Sequence, residues 1–140
     1  MISAVDTNVI VALWDADEGG HLTALDLLDD AASRGAVVIC GAVFGELLAC
    51  PGRTEEFVDQ FLLETEISVD WTTNETIWKT AGRAFSAYAG RRRKKGPEVS
   101  RRILADFLIG SHAYENGYSL LTLDDGIYRA AFPKLKIFRI

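Results

Sequence analysis

The sequence predicts an α/β fold: a three-layer α/β/α sandwich around a parallel sheet of about five strands, in a single domain spanning residues 1–140. Three observations predict it. Short apolar runs alternate with longer stretches of helical periodicity, an order that implies parallel pairing through right-handed crossovers. A length of 140 residues suits one domain, with no repeat or linker to divide it. A composition of 49% hydrophobic and 25% charged residues belongs to a globular chain with a real core, not to a disordered or collagen-like one.

Each element has a local reason. "ISAVD" reads as a strand and "NVIVALW" opens a helix; a second helix over 20–34 carries Leu22, Leu25, Leu28 and Ala32 at helical spacing. "AVVIC" at 36–40 is the next strand. Gly41 to Ala49 and Thr54 to Glu64 read as helices, broken by Pro51-Gly52, with Thr54 placed to cap the second. "EISVDW" gives a third strand. Asn74 is positioned to cap a long helix whose apolar face includes Ile77, Ala81, Ala84 and Tyr88, ending in the basic turn before Gly96-Pro97. A further helix starts at Glu98 or Ser100 and runs through Ile103, Phe107 and Tyr114 to a stop at Gly117. "YSLLTL" is a strand, a short helix follows at 126–131, and "LKIFRI" is the fifth strand.

Several function classes fall away on composition. No apolar run approaches the ~20 residues of a membrane span, and the amino-terminal stretch has an acid at position 6 and no basic segment. A cytoplasmic protein without a membrane anchor is expected. Cys40 and Cys50 form no CxxC pair and have no nearby His, so both are expected reduced and buried, and zinc is disfavoured. Any metal chemistry would use oxygen ligands. His21 and His112 lack partner spacing and read as structural or surface residues.

The acids are the informative residues. Asp6 ends the first strand, Glu46 lies one turn into the helix after the second, and Asp124 and Asp125 end the fourth. In open parallel sheets the ligand crevice lies beyond the carboxyl ends of the strands, so three separate stretches deliver acids to one edge. Asp106 lies in "ILADFLIGSHA", with Ile103, Phe107 and Gly110 as its neighbours on the helical wheel, a face where a surface acid is unexpected. Each has a structural alternative. Asp6 is placed to cap the following helix, Glu46 to be solvated, and Asp124-Asp125-Gly126 to make a turn and cap. Asp106 has no evident capping position within a continuous helix. Clustered carboxylates without a Cys/His set select hard divalent cations such as Mg²⁺ or Mn²⁺.

The net charge of -5 is unfavourable for a nucleic-acid partner, but seven of the fifteen basic residues sit in "RRRKK" at 91–95 and at Arg101-Arg102. Arg91, Arg92, Arg93, Lys94 and Lys95, in the turn leading to the Asp106 helix, are candidates for a phosphate backbone; a solvated turn is the plainer reading.

"AVDTNVIVALW" with Glu46 downstream, "ILADFLIGSHAYENGYSLLTLDDGIY" and the terminal "LKIF" together resemble the PIN-domain nucleases, specifically the single-domain VapC-like toxins of toxin–antitoxin pairs. The resemblance spans essentially the whole chain. It implies that Asp6, Glu46, Asp106 and Asp124 form an acidic metal site, with Thr122 two residues before the last acid and Asn8 beside the first in support. This chain has Tyr128 after Asp124-Asp125-Gly126, where the family often has an aromatic residue three positions after the acid. Asp124 and Asp125 are therefore alternative ligands. The Thr-x-Asp spacing favours Asp124 and leaves Asp125 a helix-start role. The resemblance further implies Mg²⁺- or Mn²⁺-dependent hydrolysis of RNA to 5′-phosphate and 3′-hydroxyl ends, a homodimer, and a cognate antitoxin that blocks the site.

Three rivals stand beside this reading. An α/β phosphotransfer or phosphatase domain also gathers acids at strand ends, but residues 6–8 read Asp-Thr-Asn rather than Asp-x-Asp, and no lysine ends "SLLTLDD". A non-catalytic binding module has no use for the acid at Asp106. A DNA-directed nuclease is the third.

Overall fold

The computed structural model describes residues 1–17, 19–95 and 103–138. Five short strands, β1 (Ser3–Val5), β2 (Val37–Cys40), β3 (Ser68–Asp70), β4 (Ser119–Leu121) and β5 (Ile137–Phe138), form one sheet in the order β3-β2-β1-β4-β5. All four pairings are parallel, with Ala4 beside both Val38 and Leu120. The described helices are α1 (Thr7–Trp14), α2 (His21–Arg34), α3 (Gly41–Leu48), α4 (Glu55–Thr65), α5 (Glu75–Lys95), α6 (Leu104–Asn116) and α7 (Gly126–Ala131). The α/β/α sandwich and its parallel five-stranded sheet match the expectation, though every strand is shorter than its apolar run.

Local chemistry explains where the helices begin and end. Thr54 accepts the Phe57 amide and Asn74 the Ile77 amide, so both expected caps form. Gly117, at φ 69°, ends α6 in the left-handed region. The central strands are buried on both faces: Ala4, Val5, Ile39, Leu120 and Leu121 join Val9, Ile10, Val43 and Leu47 in the main core. Each large aliphatic side chain buried this way contributes roughly 1.5–3 kcal/mol. Ala81, Tyr88 and Phe107 make a second cluster between α5 and α6, with Phe85 stacked 5.0 Å from Phe107.

Several expectations are corrected. In α2 the buried residues are Ala24, Leu27 and Ala31, whereas Leu22 and Ala32 are exposed. Small residues let α2 lie close to α1, and the larger Leu25 and Leu28 turn aside to line a groove of about 290 Å³ with Leu13, Val37 and Ile67. The run Arg91–Lys95 is not a turn but the helical end of α5. The expected helix start at Glu98 or Ser100 lies outside the described residues; α6 has Ile103 at its N-cap, which places Asp106 in its first turn. Cys40 is buried as expected, but Cys50, also expected buried, is only half-buried because it lies past the end of α3; both are free. No described helix is long and apolar enough to cross a membrane.

Candidate active site

The chain runs β1, β2, β3 outward on one side of the sheet and β4, β5 on the other, so the direction of winding reverses between β1 and β4. Beyond the carboxyl ends of these two strands the flanking connections diverge and leave a crevice. Asp6 follows β1, and its amide donates to the Leu121 carbonyl at 2.9 Å, which sets Asp6 beside Thr122 at the end of β4. A hollow of about 330 Å³ opens here, lined by Asp6, Thr7, Asn8, Val11, Glu46, Asp106, Asp124, Ile127 and Tyr128.

Asp6 is 6% exposed. It occupies the N-cap position of α1 yet makes no side-chain cap bond there. Its Oδ2 instead accepts from Thr122 Oγ1 at 2.9 Å and Tyr128 Oη at 2.9 Å. Burial pushes its carboxyl up to about 6; the two hydroxyl donors oppose this, and the charge of Asp106 adds to it. Thr122 also accepts from the Asp124 amide at 3.1 Å and from Asn8 Nδ2 at 3.4 Å, while its hydroxyl lies 3.2 Å from the Asp124 carbonyl. With one proton to give, the hydroxyl makes its shorter contact with Asp6. Asn8 Oδ1 accepts from the Leu123 amide at 3.1 Å, so Asn8 ties the start of α1 to the loop after β4.

The other acids arrive from separate elements. Glu46, on α3, accepts from Thr7 Oγ1 at 2.7 Å, a partner that no local spacing in the sequence indicates. Asp106 lies in the first turn of α6, where the helix N-terminus favours negative charge. Asp124 lines the hollow, whereas Asp125 takes the N-cap position of α7 and pairs with Arg129 Nε at 2.5 Å. Tyr128, 1% exposed, also lines the hollow, which the sequence does not reveal; a buried aromatic on a short helix gives no hint of where its hydroxyl points. Burial and the charge of Asp6 push its phenol up, so it stays a proton donor. The remaining expected residues lie elsewhere: Arg91, Arg92, Arg93, Lys94 and Lys95 are on α5 and do not line the hollow. His112 is buried, with Nε2 2.9 Å from Asp70 Oδ2, and holds that carboxyl below its usual range.

The donor set fits a hard divalent cation. Four carboxylates and several hydroxyl or amide oxygens face one hollow, and among its described lining residues there is no imidazole, thiol or cationic side chain. Among the described residues no three His, Cys, Asp or Glu side chains are already grouped tightly enough to hold an ion. Mutual repulsion of the acids acts in that direction.

A crevice lined by four carboxylates thus lies at the switch point of an open parallel sheet in an α/β protein. The chain belongs to the PIN domain family, which it matches over residues 4–133. Among solved structures it is similar to VapBC2 from Rickettsia felis bound to a promoter DNA fragment (TM-score 0.68, 20% identity, covering 99% of this chain and 98% of that one). It is also similar to VapBC-1 from nontypeable Haemophilus influenzae (TM-score 0.67, 21% identity, 99% and 98%). A third is VapC20 of Mycobacterium tuberculosis, a sarcin–ricin loop cleaving toxin (TM-score 0.59, 21% identity, 93% and 95%). No curated protein matches the sequence significantly.

Proposed function

We propose that this chain is a divalent-metal-dependent endoribonuclease acting as the toxin of a toxin–antitoxin pair. The observation that carries the reading is that Asp6, Glu46, Asp106 and Asp124, from four separate segments, line a single hollow. Membership of the PIN domain family and likeness to VapBC toxin–antitoxin structures support it. The four acids would hold Mg²⁺ or Mn²⁺, which when bound supplies the Lewis acidity that phosphodiester hydrolysis needs. Thr7 fixes Glu46, and Asn8 and Thr122 fix the junction that presents Asp6 and Asp124. The basic end of α5 holds the RNA backbone. Hydrolysis joins the oxygen of water to phosphorus and breaks the P–O3′ bond, leaving a 5′-phosphate and a 3′-hydroxyl. The working protein is a cytoplasmic homodimer restrained by its antitoxin.

The test is cleavage of matched single-stranded RNA and DNA in Mn²⁺ by wild type, Asp6→Asn and Asp106→Asn. RNA cleavage by wild type, lost at least a hundredfold in both variants, is expected. Full activity in both would remove the site assignment, and preference for DNA would reassign the substrate.

A further inference from the structure

Asp6 is held by two hydroxyl donors on one of its oxygens. A buried carboxylate has two equivalent oxygens and is free to offer either, unless hydrogen bonds tell them apart. Here Thr122 Oγ1 and Tyr128 Oη both donate to Oδ2, each at 2.9 Å. The donors come from different elements, Thr122 from the end of β4 and Tyr128 from α7, so they restrain the carboxylate from two directions. Apart from the Thr7 backbone amide, no described group besides these two hydroxyls bonds this carboxylate, so neither side-chain donor competes with an incoming ligand for Oδ1. Tyr128 makes no other side-chain hydrogen bond among the described residues, and its ring lines the same hollow.

The scaffold behind Tyr128 is closely packed. At the C-cap of α7, the ring of Phe132 occupies the space where Gly110 of α6 lacks a side chain: a Cβ built there would stand 2.4 Å from Phe132 Cε2. Gly110 lies one turn after Asp106. The same contact therefore sets α7, which carries Tyr128, against α6, which carries Asp106.

We infer that Tyr128 is a positioning residue: its hydroxyl, with that of Thr122, occupies Asp6 Oδ2 so that Oδ1 is presented to the cation. This rests on the acidic hollow being the metal site. Hydrogen-bonded partners that orient a metal-binding carboxylate typically change metal affinity 10–100-fold when removed. Tyr128→Phe removes the hydroxyl and keeps the ring packing.

The experiment is calorimetric titration of Mn²⁺ into RNA-free wild type, Tyr128→Phe, Thr122→Val and Asp6→Asn, with metal-free melting temperatures and with kcat and KM for RNA. The expected result is Mn²⁺ affinity about tenfold weaker or more in Tyr128→Phe, with a near-native melting temperature, lower kcat and unchanged KM. Thr122→Val, which removes the other donor without touching the phenol, shifts affinity the same way. Wild-type Mn²⁺ affinity in Tyr128→Phe, with only the melting temperature lowered, would make the phenol a packing group and overturn the inference while leaving the metal site intact. Wild-type Mn²⁺ binding by Asp6→Asn would overturn the metal-site reading and the inference with it.

Discussion

Asp6 holds its proton to a pH of about 6 in the native state, chiefly because of burial, while the unfolded chain releases it near 3.8. Between those values the native state binds more protons, so this group's contribution to stability is complete below pH 4 and lost as pH rises through 6. The full span is about 3 kcal/mol. Asn keeps an oxygen for Thr122 and Tyr128 without the buried charge. Asp6→Asn is therefore expected to be more stable than wild type by about 1–3 kcal/mol at pH 7.5 in chelator, with the gain shrinking toward pH 4.5. Urea unfolding at the two pH values measures it; an equal difference at both would contradict the burial argument. The choice between the paired acids is tested at the same scale. Asp124 lines the hollow and Asp125 pairs with Arg129, so Asp124→Ala should cost far more RNA cleavage than Asp125→Ala. Comparing the two cleavage rates checks this, and the reverse ranking would shift the register by one.

Among the elements, α5 and α6 show where local pattern sufficed and where it did not. Asn74 capping α5 and Gly117 closing α6 were legible because each acts on its own neighbours in sequence. The start of α6 was not: Ile103 offers no side-chain cap, and nothing in the periodicity separates it from the residues before it. Asp106 consequently looked like an acid in mid-helix, whereas in the first turn it is favoured by the helix dipole. The same physics gives "RRRKK" a structural role, since cations in the last turn of a helix stabilise it. An RNA role is separable from that one by salt. Each phosphate contact to a single strand contributes about 0.7 to the slope of log affinity against log salt. Changing the exposed Arg91, Arg93 and Lys94 to Glu should weaken RNA binding and flatten the slope by up to about 2, with Mn²⁺ affinity unchanged. Superimposable salt curves would confine the cluster to capping α5 or to the antitoxin.

At the level of the whole molecule, strand order and the convergence of acids were legible because alternating strands and helices leave few topologies, and those place strand ends on one edge. What the sequence withheld are the bonds that act across it, Thr7 to Glu46 and Tyr128 to Asp6, which no local spacing encodes. The strand order also governs when the site comes into being. β1 lies between β2 and β4, and Asp6 meets Thr122 across 116 residues of chain. Contacts closed over such a span form late and slowly. A nascent polypeptide therefore carries Asp6 and Glu46 out of the ribosome well before Asp106, Thr122, Asp124 and Tyr128 exist to complete the hollow. For the proposed ribonuclease, the sheet itself acts as a timer, keeping the blade unassembled until the residues through Tyr128 have been synthesised.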